Sequence, residues 1–411
     1  MSHKIIFCRN CKSRTLENLF SLGKLSYTGK FPKNSKPNVK SEKLSLVKCG
    51  KCNLVQLDRN FNPNYLYNED YGYRSGINKT MTNHLSQTAE KLSNIVKLKK
   101  GDFVLDIASN DGTLLNAYKT KGIQTVGIDP ILSKFKKFYK KINFSISDFF
   151  SYNSIVHAKI KKKFKAITAL SMFYDLDDPN KFLSDIEKII DKKNGVFILE
   201  HADLLSIIRN NLFDTICHEH LEYYSSDVII QMAKNNNLRV YNIEYNKVNG
   251  GSARYYICHI ESVYKEKKER IKKVLNDEIK FGLKKKSTYK IFFVKINLIK
   301  KRLQIMLKNI KKKGGSIHGY GASTKGNVLL QFFNIGKETI DCIADRNPLK
   351  SGCYTPGTKI KIVSEKFSRS KNPDYYLVLP WHFKKEILER EKKIIKKGTK
   401  FIFPLPKISQ S

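Results

Sequence analysis

The sequence predicts an α/β protein with a cysteine-punctuated N-terminal subdomain, a central doubly wound sheet and a second, smaller α/β domain at the C-terminal end. Three observations carry this prediction. Two Cys-x-x-Cys pairs, Cys8/Cys11 and Cys49/Cys52, lie near the start of the chain. From Gly101 onward, short apolar runs at 103–107, 126–129, 166–170 and 195–199 alternate with helical spacing. That alternation is the signature of a parallel sheet with helices on both faces. A second strand–turn–helix begins at Ser316, with further strands expected at 341–344 and 375–379. At about 150 residues per domain, 411 residues accommodate two or three domains. The reading divides the chain into 1–75, 76–260, a charged helical connector over 261–313, and 314–411. Residues 78–98 read as a helix entering the central domain, and Asn34, Ser35, Lys36, Pro37 and Asn38 as a loop between the cysteine pairs.

Hydrophobic residues make up 41% of the chain, enough for ordinary cores. No run of about 18 apolar residues suggests a membrane span. The first residues lack the apolar stretch of a secretory signal, so the expected location is cytoplasmic. The formal net charge of +40 raises nucleic acid or an anionic surface as partners. Lysine is spread through nearly every segment with no basic arm, which favours solvated faces instead. The charge would still help capture a diphosphate-bearing substrate. Membrane binding is not expected, and either a monomer or a homodimer fits.

Four thiolates from Cys8, Cys11, Cys49 and Cys52 suit tetrahedral Zn²⁺, and each Cys-x-x-Cys lets two sulfurs converge from one tight turn. All four ligand positions are then protein sulfur, so the zinc is structural. The other cysteines, Cys217, Cys258, Cys342 and Cys353, are scattered.

Asp106-Ile107-Ala108-Ser109-Asn110-Asp111-Gly112-Thr113 follows the first strand and is expected to open a helix, where small residues admit a ligand close to the backbone. It lacks the GxGxxG spacing of a dinucleotide site, as does the C-terminal glycine loop from Gly319, where the same lack counts against an oxidoreductase. Asp129 ends the second strand, where a carboxylate can accept hydrogen bonds from ribose hydroxyls. Asp148 follows the third strand and could meet an adenine edge. The run Asp-Ile-Ala-Ser-Asn-Asp-Gly-Thr-Leu-Leu resembles the cofactor loop of the deoxysugar C-methyltransferases. That family has a zinc-binding N-terminal domain, a class I S-adenosylmethionine-dependent methyltransferase (Rossmann-like) domain and a C-terminal Rossmann-like domain. The resemblance covers nearly the whole chain, in the same order. It implies S-adenosylmethionine as cofactor, held by Asp106, Ala108, Asn110, Asp111, Gly112, Asp129 and Asp148.

The densest cluster of ionisable groups is 214–225, with His218, Glu219, His220, Tyr223 and Tyr224. Methylation at carbon needs a base beside a keto group. Histidine has the pKa for that task, a carboxylate can orient it, and a tyrosine hydroxyl can stabilise the enolate. The spacing is not HExxH, so a metal site is not expected here. The family carries Tyr-His-Glu-His with its last histidine as base, which maps to His220 with Glu219 as its partner. Two positions depart from the family: Cys217 stands for its tyrosine, and Asp175 for one of its histidines. An oxygen acceptor would need only one base, so a sugar O-methyltransferase remains an alternative.

Substrate contacts are expected from Gly250, Gly251, Ser252 and Arg254, where glycines expose backbone N–H groups, although a plain hairpin turn reads equally well. They are also expected from Gly321, Ser323, Lys325 and Asn327, at a helix N-terminus suited to phosphates. The leading expectation is methylation of a nucleotide-activated keto-sugar. A basic zinc-ribbon protein that binds nucleic acid is the alternative from another class.

Overall fold

The computed structural model describes residues 2–36, 39–67 and 73–411; Pro37 and Asn38 of the expected loop lie outside them. The central sheet has seven strands. In spatial order they are Phe144–Ile146, Gln124–Ile128, Phe103–Ile107, Phe164–Leu170, Val196–Ala202, Ser252–His259 and Leu238–Asn246. The first five run parallel, and Ser252–His259 is antiparallel to both of its neighbours. In chain order this is 3-2-1-4-5-7-6, a doubly wound sheet whose strand order reverses beside Phe103–Ile107. Ligands bind such sheets at the carboxyl ends of the strands, at that switch point.

The sequence reading is modified at one element. The segment after Phe103–Ile107 does not open an α-helix; it turns through left-handed Ala108 and Asn110 into a single 3₁₀ turn, Leu115–Ala117. The helix Lys79–Val96, capped by the Asn78 side chain, instead covers this part of the sheet, burying Met81, Leu85, Ala89, Leu92 and Val96 at helical spacing.

The N-terminal subdomain is an antiparallel sheet of Leu16–Ser26, Ser41–Cys49 and Val55–Leu57, completed by Glu222–Tyr223 from far along the chain. The expected connector is two helices, Lys268–Phe281 and Lys286–Lys312. The second buries Tyr289, Phe292, Ile296, Leu303, Leu307 and Ile310 along one stripe. Its 27 residues span about 40 Å at 1.5 Å per residue. The C-terminal sheet has the order Ile362–Ser364, Ile343–Asp345, Ile317–Tyr320, Tyr375–Val378, Lys400–Phe403, Ser409–Gln410, parallel except for the last strand.

One hydrophobic core runs continuously through the N-terminal sheet, the segment 202–223, the long helix and the C-terminal sheet. A second joins Cys8, Cys49 and Cys52 to the central sheet. The three units are therefore packed as one body. At one junction Gly250, at φ +91°, lies so close to Trp381 that an added Cβ would sit 2.5 Å from the indole ring. Gly250→Ala should therefore destabilise the protein by about 1–3 kcal/mol through overpacking and backbone strain. The midpoint of urea unfolding measures this, and an unchanged midpoint would show that the junction can yield.

Candidate active site

The four cysteines converge as their spacing predicts. Their sulfurs all lie within 4.8 Å of one another, with Cys8–Cys52 and Cys11–Cys49 at 3.5 Å. Tetrahedral zinc with bonds near 2.3 Å holds sulfurs about 3.8 Å apart, so the donor set fits. Each pair closes in the same way: Lys12 N–H donates to Cys8 O and Asn53 N–H to Cys49 O, and both Lys12 and Asn53 take the left-handed conformation. Gln56 adds a side-chain N–H to the Cys8 sulfur, 3.3 Å away.

A cavity of about 590 Å³ lies where the three units meet. Its walls run from Ala108, Asn110, Asp129 and Asp148 at the carboxyl ends of the central strands, past Tyr174, Asp175, Glu219 and His220, to Gly321, Ser323 and Lys325. At the sheet end, Asp129 is buried and accepts hydrogen bonds from the backbone N–H groups of Asn110 and Ile131, both at 2.8 Å. Burial raises its pKa, and those two N–H groups act against the rise. Each oxygen keeps a second acceptor site for a ribose hydroxyl.

Three of the expected cofactor residues do not line the cavity. Asp106 is buried within the central strand, accepting from Thr168 Oγ1 at 2.6 Å, and burial pushes its pKa up to about 7. Asp111 faces the segment that follows the N-terminal subdomain, pairing with Arg74 Nε and accepting the Gly76 N–H, both at 3.0 Å. Gly112 serves the turn, where a Cβ would meet Ile142 at 2.7 Å. The same segment contributes Tyr73, Arg74, Ser75 and Asn78 to the cavity wall, a strap the sequence reading missed.

His220 stands on the wall between the two ends. Its Nδ1 lies 2.7 Å from the Thr215 carbonyl oxygen. A carbonyl only accepts, so Nδ1 carries the proton and Nε2 keeps its lone pair. Burial, then the charge of Lys325, lowers its pKa to about 3. Tyr174 packs on the ring, with centroids 4.1 Å apart.

Glu219 does not orient His220. Its carboxylate turns to the N-terminal subdomain and accepts the Gly29 N–H at 3.0 Å and the Thr28 hydroxyl at 3.2 Å. His218 lies outside the cavity, edge-on to Tyr27 and Phe61. Tyr223 donates its hydroxyl to the His220 carbonyl, and Tyr224 is buried against Phe173 and His201; neither lines the cavity. Tyr174 is the tyrosine that packs on the His220 ring.

The Gly250–Arg254 stretch is likewise structural. Gly250 and Gly251 seat their loop on Trp381 and Ser206, and Ser252 donates to Val248 O. Arg254 pairs with buried Glu200 at 2.6 Å. The neighbouring Val248 and Asn249 line the cavity instead. Asn327 donates to Thr28 O at 2.7 Å and joins the C-terminal domain to the N-terminal one. His382, another wall residue the sequence reading missed, has a buried Nδ1 with no hydrogen-bond partner among the described residues. Only a neighbouring tryptophan and phenylalanine marked it in the sequence.

Comparison with known proteins matches this architecture domain by domain. Family profiles for a zinc binding domain, a methyltransferase domain and a C-methyltransferase C-terminal domain match residues 8–67, 77–243 and 247–406. The three profiles together span residues 8–406, in the same order as the structural units. The C-methyltransferase NovU of Streptomyces niveus is 26% identical over 366 residues, covering 88% of this chain and 86% of that protein. Similar solved structures include an S-adenosylmethionine-dependent methyltransferase from Clostridium acetobutylicum, at 14% identity over 43% of this chain and 92% of that one, with a TM-score of 0.34. Magnesium protoporphyrin IX methyltransferase from Synechocystis, solved with bound S-adenosylmethionine, is 11% identical over 43% of this chain and 79% of that one, with a TM-score of 0.32. The protein is an S-adenosylmethionine-dependent C-methyltransferase with a zinc-binding domain. No helix among the described residues is long and apolar enough to cross a membrane.

Since Glu219 is held by the subdomain that the cysteines organise, zinc loss should reach the active site. Cys49→Ser should lower zinc content from about one ion per chain, the stoichiometry of a four-thiolate site. It should lower thermal stability and methyl transfer together. Full activity in a zinc-free variant would contradict this coupling.

Proposed function

We propose that the enzyme methylates a carbon next to the keto group of a nucleotide-activated sugar, with His220 as the base. One observation carries the reading: the Thr215 carbonyl fixes the His220 tautomer, leaving an Nε2 lone pair on the cavity wall between Asp129 and the C-terminal loops. S-adenosylmethionine, when bound, supplies an electrophilic methyl group on a cationic sulfur. Asp129 would hold its ribose, with Ala108, Asn110 and Asp148 along the same wall. His220 Nε2 takes the proton from the acceptor carbon, and the electron pair left behind delocalises into the carbonyl as an enolate. The C-terminal wall, with Arg346, Lys350 and Arg390, suits a diphosphate. The second expected acceptor, a sugar hydroxyl, gains no support from the C-methyltransferase domain match.

Two outcomes test this. Asp129→Ala should weaken S-adenosylhomocysteine binding by about 1.5–3 kcal/mol, the worth of hydrogen bonds to a charged group. Titration calorimetry measures this, and unchanged affinity would place the cofactor elsewhere. The pH profile tests the base. A His220 pKa lowered from 6.5 to about 3 leaves the ring neutral from pH 8 down past pH 6. The value of kcat/KM should therefore hold as pH falls through 6.5, and His220→Ala should abolish turnover. An acid limb at 6.5, or an active His220→Ala variant, would remove His220 from the role.

A further inference from the structure

We propose that Lys325 is a catalytic residue, its ammonium group holding the substrate oxygen on which charge develops as His220 removes the neighbouring proton. The proposal rests on the enolate reading above and moves Lys325 from the phosphates, where the sequence placed it, to the reacting centre.

The geometry begins at the helix Thr324–Phe332, whose N-terminus is capped by Ser323. Lys325 is in its first turn and lines the same cavity as His220. Its Nζ donates to the Asn249 carbonyl at 3.1 Å, its one hydrogen-bond acceptor among the described residues. An ammonium has three donors, so two remain for a ligand. The surroundings tie it to His220 through a short chain of contacts. Asn249 belongs to the turn that packs on Trp381; the Trp381 indole donates to Asp214 Oδ2 at 2.8 Å; and the carbonyl that fixes His220 belongs to Thr215, the next residue.

The charged and titratable groups around this point are few. Asp214 and Cys217 face Lys325 from the segment that carries His220, and His382 faces it from the C-terminal domain. Tyr174 covers His220, and Asp175 and Glu219 line the wall beside it. Asp214 is not paired with Lys325 within 4 Å among the described residues; its Oδ2 is taken by Trp381. Arg346, Lys350 and Arg390 also line the cavity, but Lys325 is the cation whose charge depresses His220.

The chemistry needs such a group. A histidine so depressed is a weak base, and the hydrogen beside a ketone is a weak acid. Transfer becomes accessible when the product anion is stabilised in place. The C–H bond breaks, the proton goes to Nε2, and the electron pair moves into the carbonyl, whose oxygen takes the negative charge against Lys325 N–H. No redox change occurs. The ammonium also keeps the imidazole neutral before the step.

The test uses full-length enzyme saturated with S-adenosylhomocysteine, in heavy water, with TDP-4-keto-6-deoxyglucose as probe. Deuterium entry beside the keto group is read by mass spectrometry. Lys325→Met should slow exchange by about 100-fold, the usual loss of an oxyanion donor, with KM for the probe nearly unchanged. Lys325→Arg, which keeps the charge, should restore part of the rate. Lys325→Gln serves as a second neutral variant, with cofactor-product binding and zinc content reporting folding. In Lys325→Met the His220 pKa, followed by NMR, should rise, because the depressing charge is gone. A higher KM at full exchange rate would make Lys325 a phosphate contact and overturn the proposal. So would an unmoved His220 pKa. Wild-type enzyme that binds S-adenosylhomocysteine but exchanges no deuterium would fail the enolate reading itself, and the Lys325 role with it. A failure confined to the Lys325 variants leaves that reading standing.

Discussion

The structure turns on how the carboxylates of one segment, 214–224, are taken out of water. Glu219 is received by the Thr28 hydroxyl and Gly29 N–H of the N-terminal subdomain. Glu222 sits 3.4 Å from buried Arg9, on a strand that completes the N-terminal sheet. Asp214 is held by Trp381 of the C-terminal domain. Removing any one partner would leave a buried acid group without its partner, at a cost of about 1–3 kcal/mol. The three units are thereby obliged to meet at this segment, and His220 is carried into the cavity by that meeting. The thiolate cluster matters to the chemistry through this route: it shapes the subdomain that receives Glu219.

The same junction sets the electrostatics. Histidine at an exposed site is half protonated near pH 6.5. Here burial and a lysine from another domain both favour the neutral ring, and a backbone carbonyl selects its tautomer. Asp175 beside it has its pKa pushed well above the carboxylate range by burial, and its Oδ1 has no hydrogen-bond partner among the described residues. The chamber thus combines a neutral imidazole, a carboxyl group driven toward its neutral form and the Lys325 ammonium within a mostly apolar wall, where electrostatic interactions are strong.

Local patterns were legible in the sequence. The cysteine spacing located the thiolate cluster, the alternation of apolar runs located both sheets, and the strand-end position of Asp129 placed it in the cavity. Each depends on residues close together in the chain. What the sequence concealed is long-range. Glu219 reads as a partner for His220 because it is adjacent, yet its acceptor sites are filled from about 190 residues away. Asn327 and Gly250 look like phosphate-loop residues but are used in packing between units, and Tyr223 and Tyr224 look like substrate contacts but bond the His220 carbonyl and pack on Phe173 and His201. Arg254 adjoins the glycine loop in sequence, but the antiparallel pairing of its strand sets it against Glu200. The Tyr73–Asn78 strap carries no motif, and only the fold brings it over the cofactor loop.

The most direct test of the account is a crystal structure of the enzyme with S-adenosylhomocysteine and a nucleotide-diphospho-keto-sugar. The account predicts the sugar in the cavity between Asp129 and the C-terminal wall, with His220 Nε2 facing the carbon beside the keto group and Lys325 Nζ at the keto oxygen. A sugar ring bound away from His220, with the cofactor still seated at Asp129, would contradict it.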